Sequence, residues 1–195
     1  YFAPELEVIE FPAWDALPYD RSSPALTVSA KRLAALHRLQ TGKSGAQLLV
    51  TTINAALQRV LTPFRIREGV REFAIGAEIG RDSLARLLQR QGYSRTDTVA
   101  DKGEYAIRGS IVDVFPSGLD QGLRLDFFGD ELESLRLFDP NTQMTTARIE
   151  SHLLLPASEA LLDEASIKRF RGRYRELFGA DATQDPLYEA VSEGR

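Results

Sequence analysis

The segment at residues 104–140 constrains this chain more than any other, because its apolar and polar residues alternate with the period of β-strands. Within it, residues 123–128 place three apolar side chains on one face, which we expect to be buried: Leu123, Leu125 and Phe127. The opposite face carries two charges and an aromatic ring: Arg124, Asp126 and Phe128. A large aromatic side chain between two charges costs hydration free energy unless something covers it. The pattern predicts a covered outer face, and a protein partner explains that cover better than a small molecule does.

The composition narrows the class of protein. The chain has 195 residues, enough for one large domain or two small ones, and its net charge of −4 argues against non-specific binding to nucleic acid phosphates as the main activity. It has no cysteine, which excludes disulfides and thiolate sites. No apolar run approaches the roughly 18 residues that span a bilayer, and no signal-peptide layout is present. We therefore expect a cytoplasmic protein, and the abrupt start at Tyr1 leads us to expect a piece of a longer one.

The first 62 residues alternate between strand and helix patterns. Strands are predicted at residues 5–11 and 47–53, and the second is a continuous apolar run of the kind buried on both faces of a parallel sheet. Helices are predicted at residues 26–40 and 55–60. The first helix has a solvent side with three basic residues: Lys31, Arg32 and Arg38. Strand and helix in alternation predict an α/β layer.

Beyond Pro63 the pattern changes to that of an α+β module. A strand is predicted at residues 72–79, a helix at residues 81–91 with its leucines inward, and mainly strands from 93 to 144. The apolar run at residues 152–156 resembles the first region, so we expect it to rejoin the first sheet. The predicted fold class is α/β, with these divisions: an α/β domain at residues 1–62 and 151–195, and an inserted α+β module at residues 65–150.

The C-terminal region is predicted to form an amphipathic helix from Asp163 to Gly179 and a second helix that begins at Asp185. The first helix has five apolar residues at helical spacing: Ile167, Phe170, Tyr174, Leu177 and Phe178. A basic run lies away from that stripe: Lys168, Arg169, Arg171, Arg173 and Arg175. Flanking acidic residues favour a solvated face, and contact with DNA or with another domain is the functional alternative.

No catalytic constellation is recognisable in the sequence. Gly42-Lys43-Ser44 lacks the earlier glycine of a phosphate loop and follows a helix instead of a strand, so we predict an ordinary loop. His37 and His152 have no evident nucleophile or acid partner. A charged hairpin turn explains three acidic residues better than paired catalytic carboxylates do: Asp130, Glu131 and Glu133. We therefore expect no catalysis, no cofactor and no metal site in these residues.

Four residues form the candidate site: Arg108, Arg124, Asp126 and Phe128. Neighbouring strands can bring Arg108 beside Arg124. Two arginines and an aspartate around an aromatic ring have the composition of an interface hot spot, with forked donors beside a desolvated anchor. An intramolecular Arg–Asp pair, with Phe128 covering a sheet edge, explains the pattern equally well. The residues alone leave both interpretations open.

The same stretch resembles the UvrB-type domain with which bacterial excision repair docks its damage sensor, UvrA. The shared pattern is an aromatic residue, Arg108-Gly109, an apolar run ending in Phe115-Pro116, the run RLDFF at 124–128 and an acidic turn. Residues 11–20 (FPAWDALPYD), Ser23-Pro24 and residues 48–63 (LLVTTINAALQRVLTP) are similar to a narrower group, the transcription-repair coupling factors.

The resemblance implies a fold and a function. It implies a partial, helicase-like parallel-sheet domain that carries the inserted module, and it places Arg108, Arg124, Asp126 and Phe128 in the surface that binds UvrA. In that group RNA polymerase and DNA are bound through other parts of the full-length protein, whose ATP-driven motor motifs are absent from these residues. The resemblance also implies that another domain masks the UvrA-binding surface in the resting full-length protein.

Two departures and two alternatives accompany the resemblance. Ala106 stands where UvrB has an additional arginine, which weakens the electrostatic side of the interface. Only the short loop at residues 12–24 occupies the place of UvrB's tyrosine-rich hairpin, so damage probing is not expected. The alternatives are a DNA-binding fragment of a UvrB-type helicase, acting through the basic helix, and a small enzyme with an unrecognised site.

Overall fold

The computed structural model describes residues 6–17, 23–42, 45–116 and 118–194. The strands in these ranges are β1 (Glu7–Phe11), β2 (Gln47–Thr51), β3 (Arg71–Ala74), β4 (Ser94–Arg95), β5 (Glu104–Arg108), β6 (Ile111–Val114), β7 (Gly122–Phe128), β8 (Glu131–Phe138), β9 (Thr145–Ile149) and β10 (Ser151–Leu154). The α-helices are α1 (Leu26–Thr41), α2 (Ile53–Leu57), α3 (Pro63–Gly69), α4 (Arg81–Arg90), α5 (Glu164–Phe178) and α6 (Pro186–Ser192), with a 3-10 helix at Ala180–Gln184.

The largest sheet has six strands in the order β4-β5-β6-β7-β8-β9. Strand β4 runs parallel to β5, and the other neighbours are antiparallel. Tight turns join β5 to β6 and β7 to β8, and in them Gly109 and Gly129 have φ values of 60° and 64°. This left-handed region favours glycine, because a β-carbon crowds the backbone there. The strands predicted across residues 93–144 are confirmed.

The inner face of this sheet forms the main core with α4, β3 and β10. Leu84 and Leu88 of α4 are buried against the sheet, so the helix predicted at residues 81–91 and its inward leucines are confirmed. The other members of this core are Phe73, Tyr93, Tyr105, Val112, Val114, Leu123, Leu125, Phe127, Leu132, Leu135, Leu154 and Ala157. The chain itself therefore covers the inner face of the sheet.

A smaller layer consists of β1, β2 and α1. Strands β1 and β2 pair in parallel, and Ile9 and Phe11 pack with Ala35 and Ala55 into a small core. The parallel pairing fits the predicted α/β pattern. The prediction that residues 47–53 are buried on both faces is wrong, because β2 pairs with β1 alone within the described ranges and its apolar side chains are half-exposed.

The prediction that residues 152–156 rejoin the first sheet is also wrong. Strand β10 pairs antiparallel with β3, with His152 opposite Phe73 and Leu154 opposite Arg71. Phe73 and Leu154 are both buried in the main core. The run is apolar because β10 packs into the main core beside β3, and within the described ranges it has no pairing with β1 or β2.

The connection around Pro63 differs from the prediction. The helix predicted at residues 55–60 occupies Ile53–Leu57, because Thr52 caps it and accepts a hydrogen bond from the Ala55 N–H at 3.2 Å. Pro63 opens the unpredicted helix α3, where its missing N–H needs no partner. The strand predicted at residues 72–79 is confined to Arg71–Ala74.

Both C-terminal helices are confirmed with their caps. The Asp163 side chain accepts a hydrogen bond from the Ser166 N–H at 2.7 Å, and Asp185 caps α6 through the Leu187 N–H at 2.8 Å. The predicted apolar stripe of α5 is not buried, however. Its rings pack against one another and against Tyr188 of α6, and no described residue of α5 is fully buried. None of the helices within the described ranges is long and apolar enough to cross a membrane.

A buried ion pair ties α1 to the segment that follows β10. Arg32 is 0% exposed, and its Nε donates to Glu159 Oε1 at 2.6 Å. Its Nη1 donates to the Pro12 carbonyl at 2.8 Å and to Gln58 Oε1 at 3.0 Å. The prediction that Arg32 faces solvent is wrong, because this guanidinium is sandwiched in the interior near the rings of Phe11 and Trp14. Part of the Pro-rich loop, residues 18–22, lies outside the described residues.

Candidate functional site

The outer face of the six-stranded sheet carries all four predicted site residues. Residues directly opposite each other on paired strands share a face. Asp126 lies opposite Ile111, which lies opposite Arg108, and Arg124 and Phe128 occur at alternate positions from Asp126 along β7. The buried apolar residues of β7 point to the inner face. The predicted alternation in residues 123–128 is therefore confirmed.

A buried carboxylate organises the two arginines. Asp113 lies opposite Arg124 and is 0% exposed. Arg124 binds it through two hydrogen bonds, Nε to Oδ1 at 2.7 Å and Nη2 to Oδ2 at 3.0 Å, and Arg108 donates to Oδ2 from the strand on the other side. This hydrogen bonding raises the pKa of Arg124 and outweighs the opposing effect of burial. Arg108 and Arg124 are thus brought together through Asp113, which accepts two hydrogen bonds from Arg124 and one from Arg108.

Asp126 belongs to a second ion pair on the same face. Arg136 of β8 donates from Nη2 to Asp126 Oδ2 at 2.7 Å, and the Ser110 hydroxyl lies 3.1 Å from Asp126 Oδ1. Both oxygens of Asp126 therefore have partners within the chain. The intramolecular Arg–Asp pairing considered from the sequence is present, although Asp126 pairs with Arg136 and Arg124 pairs with Asp113.

One end of the face is covered by the chain. The Arg124 guanidinium carbon lies 4.7 Å from the centre of the Phe138 ring, which is buried with Val99, Ala106 and Phe115. Gly122 makes room for this ring, because a β-carbon there would come within 2.2 Å of Phe138. Arg124 is held between a ring and a carboxylate, and only 13% of its side chain is exposed.

The other end of the face is open. Phe128 is the last residue of β7 and is 79% exposed, so it does not cover a sheet edge within the described part of the chain. Arg108, on the same face, keeps 47% of its side chain exposed while binding Asp113. Burying a phenylalanine side chain is worth about 1.5–3 kcal/mol. An exposed ring beside immobilised charges has the composition of an interface hot spot, which the sequence also suggested.

Sequence reasoning missed Asp113 and Arg136. Asp113 interrupts an apolar run between Val112 and Val114, which both point to the main core. A charged residue at an outward position between two inward valines is a usable signal. Pairing β6 with β7 through the hairpin register would have placed Asp113 opposite Arg124.

Among the residues that the structure describes, the remaining sequence candidates do not assemble into a second site. Lys43 and Ser44 lie outside the described residues, and Gly42 follows the last turn of α1. The acidic residues after Gly129 are exposed in the turn and at the start of β8. Burial lowers the pKa of His37 and of His152. Within the described ranges, no group of three or more His, Asp or Glu side chains is arranged to hold a metal ion.

Comparison with known proteins relates one part of the chain to a domain family and nearly the whole chain to a protein family. Residues 72–159 match the UvrB interaction domain, and this match contains the whole candidate site. The chain is 40% identical over 190 residues to the transcription-repair-coupling factor of Haemophilus influenzae and 37% identical over 187 residues to that of Escherichia coli. Each alignment covers 96% of this chain and 16% of the relative. The counterpart in Rickettsia bellii is 31% identical over 196 residues, covering 100% of this chain and 17% of that protein.

The chain therefore spans about one sixth of the length of these relatives. The similarity extends through β1, β2 and α1 and also through α5 and α6, beyond the limits of the domain match. The chain belongs with the transcription-repair-coupling factors along its length, and its residues 72–159 are a UvrB interaction domain.

Proposed function

We propose that the outer face of the six-stranded sheet is a docking surface for UvrA, and that the chain recruits UvrA when transcription stalls at damaged DNA. The observation that carries this proposal is Phe128, which is 79% exposed beside a network of fixed charges. The match to the UvrB interaction domain and the similarity to transcription-repair-coupling factors support it.

The geometry suggests a separate role for each of three of the four site residues. Phe128 is the anchor that enters an apolar pocket of UvrA, because its ring is free on the described surface. Arg108, whose side chain is 47% exposed, offers its guanidinium to an acidic group of the partner. Arg124 is mostly covered, so it contributes one edge to the contact and, together with Asp113, holds the surface in shape. Preorganisation of this kind lowers the entropy cost of binding.

The proposal also concerns the rest of the protein. The parallel pair β1 and β2, with α1 beside it, is consistent with part of a helicase-like α/β domain. We place catalysis, and the binding of RNA polymerase and DNA, in other parts of the full-length protein. In this view the chain acts by protein recognition and carries out no chemistry itself.

The test is calorimetric titration of UvrA with the wild-type chain and with Phe128→Ala. We expect Phe128→Ala to weaken binding by about 2 kcal/mol, or thirtyfold, because the substitution empties the pocket that the ring fills. Phe64→Ala is the matched control, since Phe64 is an exposed phenylalanine on α3, away from the sheet face.

Wild-type affinity in Phe128→Ala would show that the proposed surface is wrong. A folded wild-type chain that fails to bind UvrA would remove the recruitment function altogether. Salt-dependent binding of the same chain to DNA would then favour the alternative, a DNA-binding fragment of a UvrB-type helicase that uses the basic residues of α5.

A further inference from the structure

A row of directly opposed side chains crosses four strands of the outer face. Its members, from β6 to β9, are Asp113, Arg124, Arg136 and Arg148. Three consecutive arginines therefore stand side by side, on strands that are about 4.8 Å apart. Like charges directly opposite each other on antiparallel strands destabilise the pair. Stable packing of the row therefore requires anionic partners, and the described residues provide them for only some of the three arginines.

The anions serve only the first two arginines. Arg124 is paired with Asp113, and Arg136 is paired with Asp126. Arg148 is exposed, and within residues 6–17, 23–42, 45–116 and 118–194 it enters no ion pair, not even with Glu150 two positions along the chain. The Nε–H of Arg136 is shielded from solvent and also lacks an acceptor in these ranges. Arg136 and Arg148 therefore have N–H donors for which the described residues supply no acceptor.

We infer that Arg148 extends the docking surface onto β9 and receives a carboxylate of the partner. This inference rests on the proposed function, since it assigns a further contact to the same sheet face. An acidic side chain placed over β8 and β9 would face the guanidinium of Arg148 and relieve its repulsion with Arg136. The partner is thus expected to present an apolar pocket for Phe128 and an acidic strip beside it.

The dimensions allow both contacts in one interface. Phe128 lies four residues along β7 from Arg124, which is about 14 Å of strand, and Arg148 lies two strands across, about 10 Å. The two sites are therefore roughly 17 Å apart. A standard interface covers about 800 Å² on each partner, a patch about 30 Å across. A single partner of ordinary footprint can reach Phe128 and Arg148 together.

The decisive variant is Arg148→Glu, because its expected effects on stability and on docking have opposite signs. A glutamate at this position faces Arg136 and can pair with it, so the melting temperature should stay the same or rise. Docking should weaken, because the carboxylate of the partner now meets a negative charge. We expect the affinity for UvrA to fall at least tenfold in Arg148→Glu and about threefold in Arg148→Gln.

Arg86→Glu is the matched control, since it makes the same charge change on α4, which packs against the opposite face of the sheet. Equal weakening by Arg148→Glu and Arg86→Glu would assign the effect to net charge and overturn the inference. Wild-type affinity in Arg148→Glu, with weak binding in Phe128→Ala, would overturn the inference and leave the docking function intact. Failure of the wild-type chain to bind UvrA would instead remove the docking function, and the role of Arg148 with it.

Discussion

Two arginine–carboxylate clusters in this chain have the same chemistry and different surroundings. In the first, Arg32 binds Glu159 and lies 4.3 Å from the centre of the Phe11 ring. In the second, Arg124 binds Asp113 and lies 4.7 Å from the centre of the Phe138 ring. Each guanidinium therefore has a carboxylate at its edge and an aromatic ring at its face, an arrangement that suits its planar fork.

The clusters differ in how completely they are closed. The Arg32 cluster uses acceptors from three segments of the chain, and the Trp14 indole N–H donates to Glu159 at 2.8 Å, so the cluster holds those segments together inside the protein. The Asp113 cluster is open on one side, where Arg108 is half-exposed and Phe128 stands free. An Arg–carboxylate pair therefore does not by itself distinguish a core contact from a docking surface, and we base the proposed docking surface on the uncovered Phe128.

The largest expected effect is the loss of the closed cluster in Glu159→Ala. This substitution leaves the Arg32 charge buried without its carboxylate, and we expect it to lower the free energy of unfolding by about 3–5 kcal/mol. Urea denaturation measures the loss. The double variant Arg32→Met with Glu159→Gln is the control, because it removes both charges and should recover most of the stability. A loss below about 1 kcal/mol in Glu159→Ala would show that the closed cluster is not a structural contact.

A smaller effect is expected from Asp113→Asn, which opens the second cluster. An amide cannot accept two guanidiniums as a carboxylate does, so we expect a loss of about 2–3 kcal/mol in stability. Docking to UvrA should also weaken, by about tenfold, because Arg108 and Arg124 lose their alignment. Denaturation and calorimetry on one preparation measure both quantities.

Asp126→Asn provides the comparison for Asp113→Asn. Asp126 is only partly buried, so its loss should cost about 0.5–1 kcal/mol in stability. If Asp113→Asn proves as mild as Asp126→Asn in both measurements, the buried carboxylate does not organise the face.

The smallest expected effect is that of salt, which should lower the affinity for UvrA and leave the stability contributed by the Arg32 cluster nearly unchanged. Raising the salt concentration from 0.1 M to 1 M shortens the screening length from about 10 Å to about 3 Å. Affinity for UvrA should fall about three- to tenfold, since the docking charges are exposed. The stability difference between wild type and Glu159→Ala should change by less than about 0.5 kcal/mol, because the Arg32 pair is shielded from ions. Equal salt sensitivity in both measurements would erase the distinction between the clusters.

The candidate site was predictable to the extent that it depends on local alternation. Residues 123–128 place Arg124, Asp126 and Phe128 outward in any register, because the side chains of a strand alternate strictly. The identity of each partner was not predictable in the same way. Asp113 and Arg136 are 11 and 12 positions from Arg124, and only the pairing of β6, β7 and β8 decides that they are its neighbours.

The wrong predictions for Arg32 and for residues 152–156 have one cause, which is that both depend on contacts between segments distant in sequence. The helical spacing of residues 26–40 predicts that Arg32 faces solvent, and the acceptors that enclose it are far away in sequence: Pro12, Gln58 and Glu159. The run at residues 152–156 was assigned to the first sheet on its apolar character, which does not specify a partner strand. Hydrophobicity favours the burial of a segment, and it carries no information on which element would bury it.

The sequence by itself determined the periodic elements and the outward set on β7, since both depend on interactions between residues a few positions apart. Helix α4, the hairpin between β7 and β8 and the caps of α5 and α6 follow from such local rules. Only the tertiary structure decided that Arg32 is enclosed, that Asp113 joins two arginines, and that Arg148 stands without an anion in the described chain. These outcomes depend on strand register and on contacts across distant segments, where burial and charge are set by neighbours that no local pattern specifies.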